Sequence, residues 1–330
     1  GDGQLTAALR ASDSFVVHGL DTDAKNIAAA RKHIQSLGLY GKVSAERWTG
    51  QRLPYAENLV NLIVVSGEPR VARDELLRVL APGGVALFAD PKSKVQNPKL
   101  LKPRPKEIDE WTHFLHDAGN NAVARDTRVG APRQLQWMAP PLWLRSHETP
   151  SGFEAMVAGG GRVFYYLDEG LIGITDQRLP ERWSLVCRDA FNGTLLWEQP
   201  LGPWGWPQWA TNKFLDKAWT EIPGGRTVVP DENQRRLVAD GDRLYATLSY
   251  RGPLSILDAA TGKTLFTLAE TAPARQIVAV DGVAVVYSQT GDAEVAKRRG
   301  KAREPDGPAG KLTAVRGATA QPMDFWPSIV

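Results

Sequence analysis

Cysteine is almost absent from this chain: Cys187 stands alone among 330 residues. A single thiol excludes an internal disulfide and any cysteine-rich metal site, and its expected state is buried and inert. Long hydrophobic runs are missing too. No apolar stretch reaches the roughly 18 residues of a membrane-spanning helix, so no membrane span is expected in this chain. Nothing at the N-terminus reads as a signal peptide. The chain starts inside a motif, however, and sequence upstream of Gly1 is expected. No charge sign dominates. Lys and Arg number 40 against 37 Asp and Glu, and a net charge of +3 is too small to argue for nucleic acid as a partner. What the chain has in excess is tryptophan. Ten of its eleven tryptophans lie after residue 100, which separates two regions.

The first region is organised around Gly1-Asp2-Gly3, a short helix Gln4–Arg10, a strand through Phe15, Val16 and Val17, and the acidic pair Asp21 and Asp23. Glycines let the backbone approach a ligand, and a carboxylate after a strand accepts ribose hydroxyls. That order is the nucleotide end of a doubly wound α/β unit, here without the apolar strand that would precede the glycines. Thr22–Leu37 reads as a helix, capped by Thr22 or Asp23, with Ile27, Ala30, Ile34 and Leu37 as its stripe and Gly38 as its stop. A strand follows at Val43–Ala45. Leu59–Val65 is a near-continuous apolar run of the kind buried in a parallel sheet. Asp74–Leu80 reads as a helix stopped by Ala81-Pro82-Gly83-Gly84, and Val85–Phe88 as a strand. Alternation at these lengths predicts a parallel sheet with helices on both faces.

Asp74 to Phe88 resembles the late helix–turn–strand of class I S-adenosylmethionine-dependent methyltransferases. Val17-His18-Gly19-Leu20-Asp21 with Ala28-Ala29-Ala30-Arg31 resembles the same family's second strand and helix. The resemblance covers roughly residues 1–95 and implies that Gly1 and Gly3 belong to the cofactor's glycine loop and that Asp21 holds the ribose of S-adenosylmethionine. Two positions depart from the family's pattern. Thr49 stands where an acidic residue near the adenine is usual, and Val60-Asn61 replaces a Phe-Asp pair. No general base is identifiable, which methyl transfer by proximity and alignment tolerates.

Asp90–Glu107 carries Pro91, Pro98, Pro103 and Pro105 among Lys92, Lys94, Lys99, Lys102, Arg104 and Lys106. Proline with like charge reads as an extended linker; a nucleic-acid contact is the less economical reading. Glu110–His116 reads as a helical turn on which the i,i+3 pair His113 and His116 shares a face; with Asp117 they invite a metal reading, and His147-Glu148 is the other candidate nearby. No third strong ligand is placed, so no metal site is assigned. Trp111, Leu135, Trp137 and Trp143 are better read as apolar anchors. The stretch from Trp111 through Asn120-Asn121 to Trp137 resembles the lead-in of quinoprotein-like propellers.

The last region repeats itself. Ala158–Tyr166 is echoed by Ala239–Thr247 and by Val280–Tyr287, each a turn with Asp or Gly followed by an alternating strand. Leu185–Trp197 matches Leu254–Phe266, with Leu312–Val315 through Phe325-Trp326 as a looser copy. The strand–Asp-Ala-x-x-Gly-x-x-x-Trp/Phe pattern resembles the PQQ-like propeller repeat. That resemblance implies Asp189, Gly193 and Trp197 as blade-docking scaffold; it implies the fold, not a bound quinone, and a PQQ cofactor is not expected. Three blades cannot close a ring of the usual four to eight or so; a longer chain at both ends, or completion by another copy, is expected. Pro200–Arg236, with Trp204, Trp206, Trp209 and Trp219, is an aromatic insertion too long for a hairpin. Its rings either pack the loop onto its blade, the plainer reading, or cap the propeller and bind a planar or sugar-like ligand. Ala296–Glu304 reads as an exposed basic loop.

The expected fold is α/β plus all-β: a Rossmann-like doubly wound domain over 1–95, a linker and lead-in over 96–150, and an incomplete propeller of four-stranded blades over 151–330. Three functions fit. The first is methyl transfer from S-adenosylmethionine to an unidentified acceptor, with the propeller presenting a substrate or protein partner. The second is a binding scaffold whose α/β domain is degenerate. The third and weakest is a PQQ-dependent oxidoreductase, whose channel ligands nothing in the sequence marks. Compartment stays open, since the cofactor is cytoplasmic and such propellers are often exported.

Overall fold

The computed structural model describes residues 1–67, 71–89, 99–131, 135–140, 152–170, 181–209, 230–290 and 310–323. Trp143, His147-Glu148, Trp219, Ala296–Glu304 and Phe325-Trp326 lie outside the described residues, as does the linker's 90–98. The chain divides into two compact units. Unit 1 is Gly1–Ile108 with Val129–Met138 and Phe191–Thr194; unit 2 is Asp109–Arg128, Ala139–Ala190 and Leu195–Val330.

Unit 1 runs α1 (Gln4–Ala8), β1 (Val17–Asp21), α2 (Ala24–Ser36), β2 (Val43–Arg47), β3 (Val60–Val65), α3 (Arg73–Val79), β4 (Leu80–Phe88) and β5 (Lys99–Leu101). Asp23 caps α2, its carboxylate accepting from the Lys25 backbone N–H at 2.8 Å. Ile27, Ala30 and Ile34 are buried against Val43 and Ala45, as the helical spacing requires. Leu37, expected on that stripe, is 51% exposed because the helix has already ended.

The crossover through α2 makes β1 and β2 parallel, with Val17 opposite Val43 and Asp21 opposite Arg47. α3 likewise joins parallel β3 and β4. These pairs do not merge into the single sheet expected. They lie in a two-stranded sheet, β1-β2, and a three-stranded sheet, β3-β4-β5. Three further expectations need correction. The strand expected at Phe15–Val17 begins at Val17, leaving Phe15 and Val16 exposed. β3 is half-exposed rather than buried, with Leu62 at 43%, because β4 is its one sheet neighbour among the described residues. The stop at Ala81–Gly84 is a bulge inside β4, where the register jumps from Val60–Leu80 to Leu62–Val85. Glycine is required there: a Cβ on Gly84 would lie 2.8 Å from the Ala81 carbonyl oxygen and 2.9 Å from that of Val60. The segment expected as linker contributes β5, antiparallel to β4.

Unit 2 is a set of antiparallel meanders. β6 (Phe153–Gly159), β7 (Arg162–Asp168), β8 (Trp183–Asp189) and β9 (Leu195–Pro200) form one four-stranded sheet. After the short helix α4 (Trp206–Trp209), β10 (Leu237–Asp240), β11 (Arg243–Thr247), β12 (Leu254–Asp258) and β13 (Thr264–Leu268) form a second. β14 (Ala274–Val280), β15 (Val283–Ser288) and β16 (Lys311–Arg316) form a three-stranded third. The described residues contain no closed ring of blades. Apolar faces stack between successive sheets. Phe164, Leu185 and Cys187 meet Leu237, Leu244 and Leu257, and Tyr245, Leu254 and Ile256 meet Ile277, Val286 and Val315. Burial pushes the Cys187 thiol up to about 12, leaving it the inert core residue expected. Trp197 spans two sheets: its indole N–H donates to the Ala259 carbonyl at 3.1 Å, and its ring lies where a Cβ on Gly262 would fall, 2.5 Å away.

The segment before these sheets is tied to the first strand of each. Successive residues Trp111, Thr112 and His113 accept hydrogen bonds from the backbone N–H groups of Ala158, Ala239 and Ala279, one on each of β6, β10 and β14. His113–His116 is a tight turn rather than the helical turn expected, closed by the His113 N–H donating to the His116 carbonyl at 3.1 Å, with His116 at φ 73°.

Candidate cofactor site

Of the three residues the sequence nominates, two touch. Asp21 is the last residue of β1, and its Oδ2 accepts a hydrogen bond from the Gly1 backbone nitrogen. The same carboxylate accepts from the Asn26 side-chain amide at 3.0 Å through Oδ2 and from the Asp23 backbone N–H at 2.9 Å through Oδ1. Burial works against its charge, and hydrogen bonds from the Gly1 nitrogen first, then the Asp23 N–H and the Asn26 amide, hold the carboxyl below its ordinary range. Asp21 therefore presents a fixed, ionised acceptor at the C-terminal end of a parallel strand, where α/β folds take ligands.

Gly3 plays a different part. It enters α1 in the left-handed region, φ 87°, and a Cβ there would lie 2.7 Å from the Ala30 Cα. Close approach of α1 to α2 accounts for this glycine, so its smallness serves packing first. Gly1 has open space where a Cβ would stand. The donor set fits an adenosine-type ligand: a carboxylate for a diol, beside a glycine turn. Thr49 follows β2 and is exposed.

Asn26 was not singled out by the sequence reading. Its signal is positional: counting from the Asp23 cap it is the third helical residue, the place from which a side chain reaches back over the helix start. A second cluster was also missed. Tyr55 Oη lies 3.0 Å from His18 Nδ1, and His18 Nε2 lies 3.6 Å from Glu46 Oε2. Burial pushes His18 down, with Glu46 opposing, and pushes Tyr55 up to about 12. A neutral imidazole bonded to a phenol can relay a proton. It stands three residues from Asp21 on β1, hence on the other face of the strand.

The metal reading of His113, His116 and Asp117 finds other uses for these groups. His113 Nε2 accepts the Ala279 N–H at 3.2 Å, and His116 Nε2 lies 2.7 Å from Asp109 Oδ2. Among the described residues no three His, Cys, Asp or Glu are grouped to hold a metal. No helix of the described residues is long and apolar enough to cross a membrane.

No curated protein matches the chain. Among solved structures it is similar to the [4+2]-cyclase SpnF, at 23% identity over 26% of this chain and 34% of that one, TM-score 0.24. It is similar to a europium-containing methanol dehydrogenase at 16% identity over 66% of this chain and 31% of that one, TM-score 0.38. The computationally designed Ika4 protein matches at 12% identity over 58% of this chain and 77% of its own, TM-score 0.30. The chain thus spans about a third of the two natural proteins, and scores this low carry neither fold nor function across. Residues 1–88, which hold Gly1, Gly3 and Asp21, match a family model described as a methyltransferase domain.

Proposed function

We propose that unit 1 is a methyltransferase domain that uses S-adenosylmethionine, with Asp21 accepting the ribose hydroxyls and the Gly1–Gly3 turn admitting the cofactor to the backbone. The ionised Asp21 carboxylate beside that turn is the observation that carries this reading. When bound, the cofactor supplies an electrophilic methyl group. Asp21 and Asn26 position it, and Asn26 also keeps the carboxylate aligned. The acceptor is unidentified. In this reading residues 1–95 are the catalytic domain, and residues 151–330 are the opening blades of a propeller that presents the substrate or a protein partner.

The test is calorimetric titration of S-adenosylhomocysteine into the natural full-length protein and its Asp21→Ala variant. Micromolar binding that weakens at least about tenfold in the variant is expected, since a charge-assisted pair of acceptors is lost. A folded protein that binds nothing sinks the reading. It leaves the second, a scaffold with a degenerate α/β domain, which Thr49 and Val60-Asn61, standing in place of the family's usual residues, favour.

A further inference from the structure

Among the described residues Arg236 is the largest side chain without exposed surface. It ends the 3-10 turn Asp231–Arg236, directly before β10. Its guanidinium carbon lies 5.1 Å from the centroid of the Trp204 ring and 5.0 Å from that of Tyr250. One nitrogen, Nη2, donates to Asn233 Oδ1, and Asn233 in turn donates to Glu154 at 2.9 Å. Among the described residues Nε and Nη1 have no acceptor. Glu232 favours the Arg236 charge from a distance, but its carboxylate is already held by Arg251 at 2.6 Å and Arg275 at 2.7 Å.

A guanidinium has five N–H donors and keeps its proton, so burying two of its nitrogens without partners is among the costliest arrangements a protein can hold. The neighbours make the shortage of acceptors worse. The Trp204 ring packs on Tyr166 at 4.6 Å, Tyr250 packs on Trp209 at 5.4 Å, and Trp209 meets Trp183 at 6.3 Å. The indole N–H groups of Trp183, Trp204 and Trp209 are all buried without an acceptor among the described residues, and the Thr247 hydroxyl is likewise unpartnered there. Water suits such a site poorly, because each molecule accepts two hydrogen bonds but brings two more donors. An oxyanion only accepts, and it neutralises the buried cation.

We propose that the aromatic cage around Arg236 binds a small oxyanion, a carboxylate or a phosphate. This site lies in unit 2, does not depend on the methyltransferase reading, and gives the aromatic insertion a ligand by charge as well as by ring packing.

The test titrates the full chain with potassium phosphate and, separately, sodium acetate, each against chloride at constant ionic strength. Calorimetry and tryptophan fluorescence are the readouts, and Arg236→Met and Trp204→Phe are the variants. Saturable binding of one anion is expected, at least about tenfold weaker in Arg236→Met and weakened in Trp204→Phe. Which anion binds identifies the source. A crystal soaked in that anion should show it on Nε or Nη1 of Arg236, a readout that stands even if Arg236→Met fails to fold. Absence of binding by both anions, undiminished binding in a folded Arg236→Met, or water alone at those nitrogens overturns the proposal.

Discussion

Protonating His113 breaks a bond that ties the lead-in to β14, because its Nε2 is the acceptor for the Ala279 N–H. Burial pushes the His113 pKa down from 6.5, against the fields of Asp117 and Asp240, and burial does the same to His18 against Glu46. The unfolded chain therefore takes up protons first as pH falls. Stability from these groups is present above the unfolded value of 6.5 and is lost below it, through the lowered folded values. Denaturant titrations between pH 8 and 5 should show that decline, and His113→Gln, which can still accept the N–H but does not titrate, should flatten it. An unchanged slope would show that His113 does not carry the effect. The place of Asp21 at the end of β1 was legible at this scale, because the strand and the helix cap that follow it are written in neighbouring residues. Arg236 was not. In the run Asp231-Glu232-Asn233-Gln234-Arg235-Arg236 it reads as one more solvated charge, and only packing distinguishes it from Arg235.

Among elements, β5 is the instructive one. Three residues within a proline- and lysine-rich stretch carry no periodicity, so Lys99-Leu100-Leu101 reads as linker. Placed beside β4 it alternates cleanly. Leu100 is buried with Val79, Leu80 and Ala86, while Leu101 is exposed. Leu100→Ala should cost about 2–5 kcal/mol in urea unfolding of unit 1. Leu101→Ala should stay within about 0.5 kcal/mol. Equal small effects would mean that β5 adds nothing to the core. Helices fared differently, since α2 carries its cap, stripe and stop within its own residues. The repeats after residue 150 were legible for the same reason: each hairpin has its turn glycine, and Gly241, Gly262 and Gly282 all adopt positive φ.

At the scale of the whole molecule, the two units hold separate hydrophobic clusters, so heat should melt them in separable steps. Scanning calorimetry with S-adenosylhomocysteine should raise only the transition of unit 1. The anion bound at Arg236 should raise only that of unit 2, because each ligand stabilises the body that binds it. A single transition shifted by both would show one cooperative body.

The sequence by itself determined the alternation of helices and strands in unit 1 and the hairpin repeat of unit 2. Each of these is written in neighbouring residues, through periodicity, caps and turn glycines. Only the tertiary structure decided that the parallel strands fall into two sheets, that three consecutive residues, Trp111 to His113, bond the first strands of three different sheets, and that Arg236 lies enclosed by Trp204 and Tyr250. Those outcomes depend on which distant groups compete for the same backbone partners and the same buried volume, and no local pattern encodes that competition.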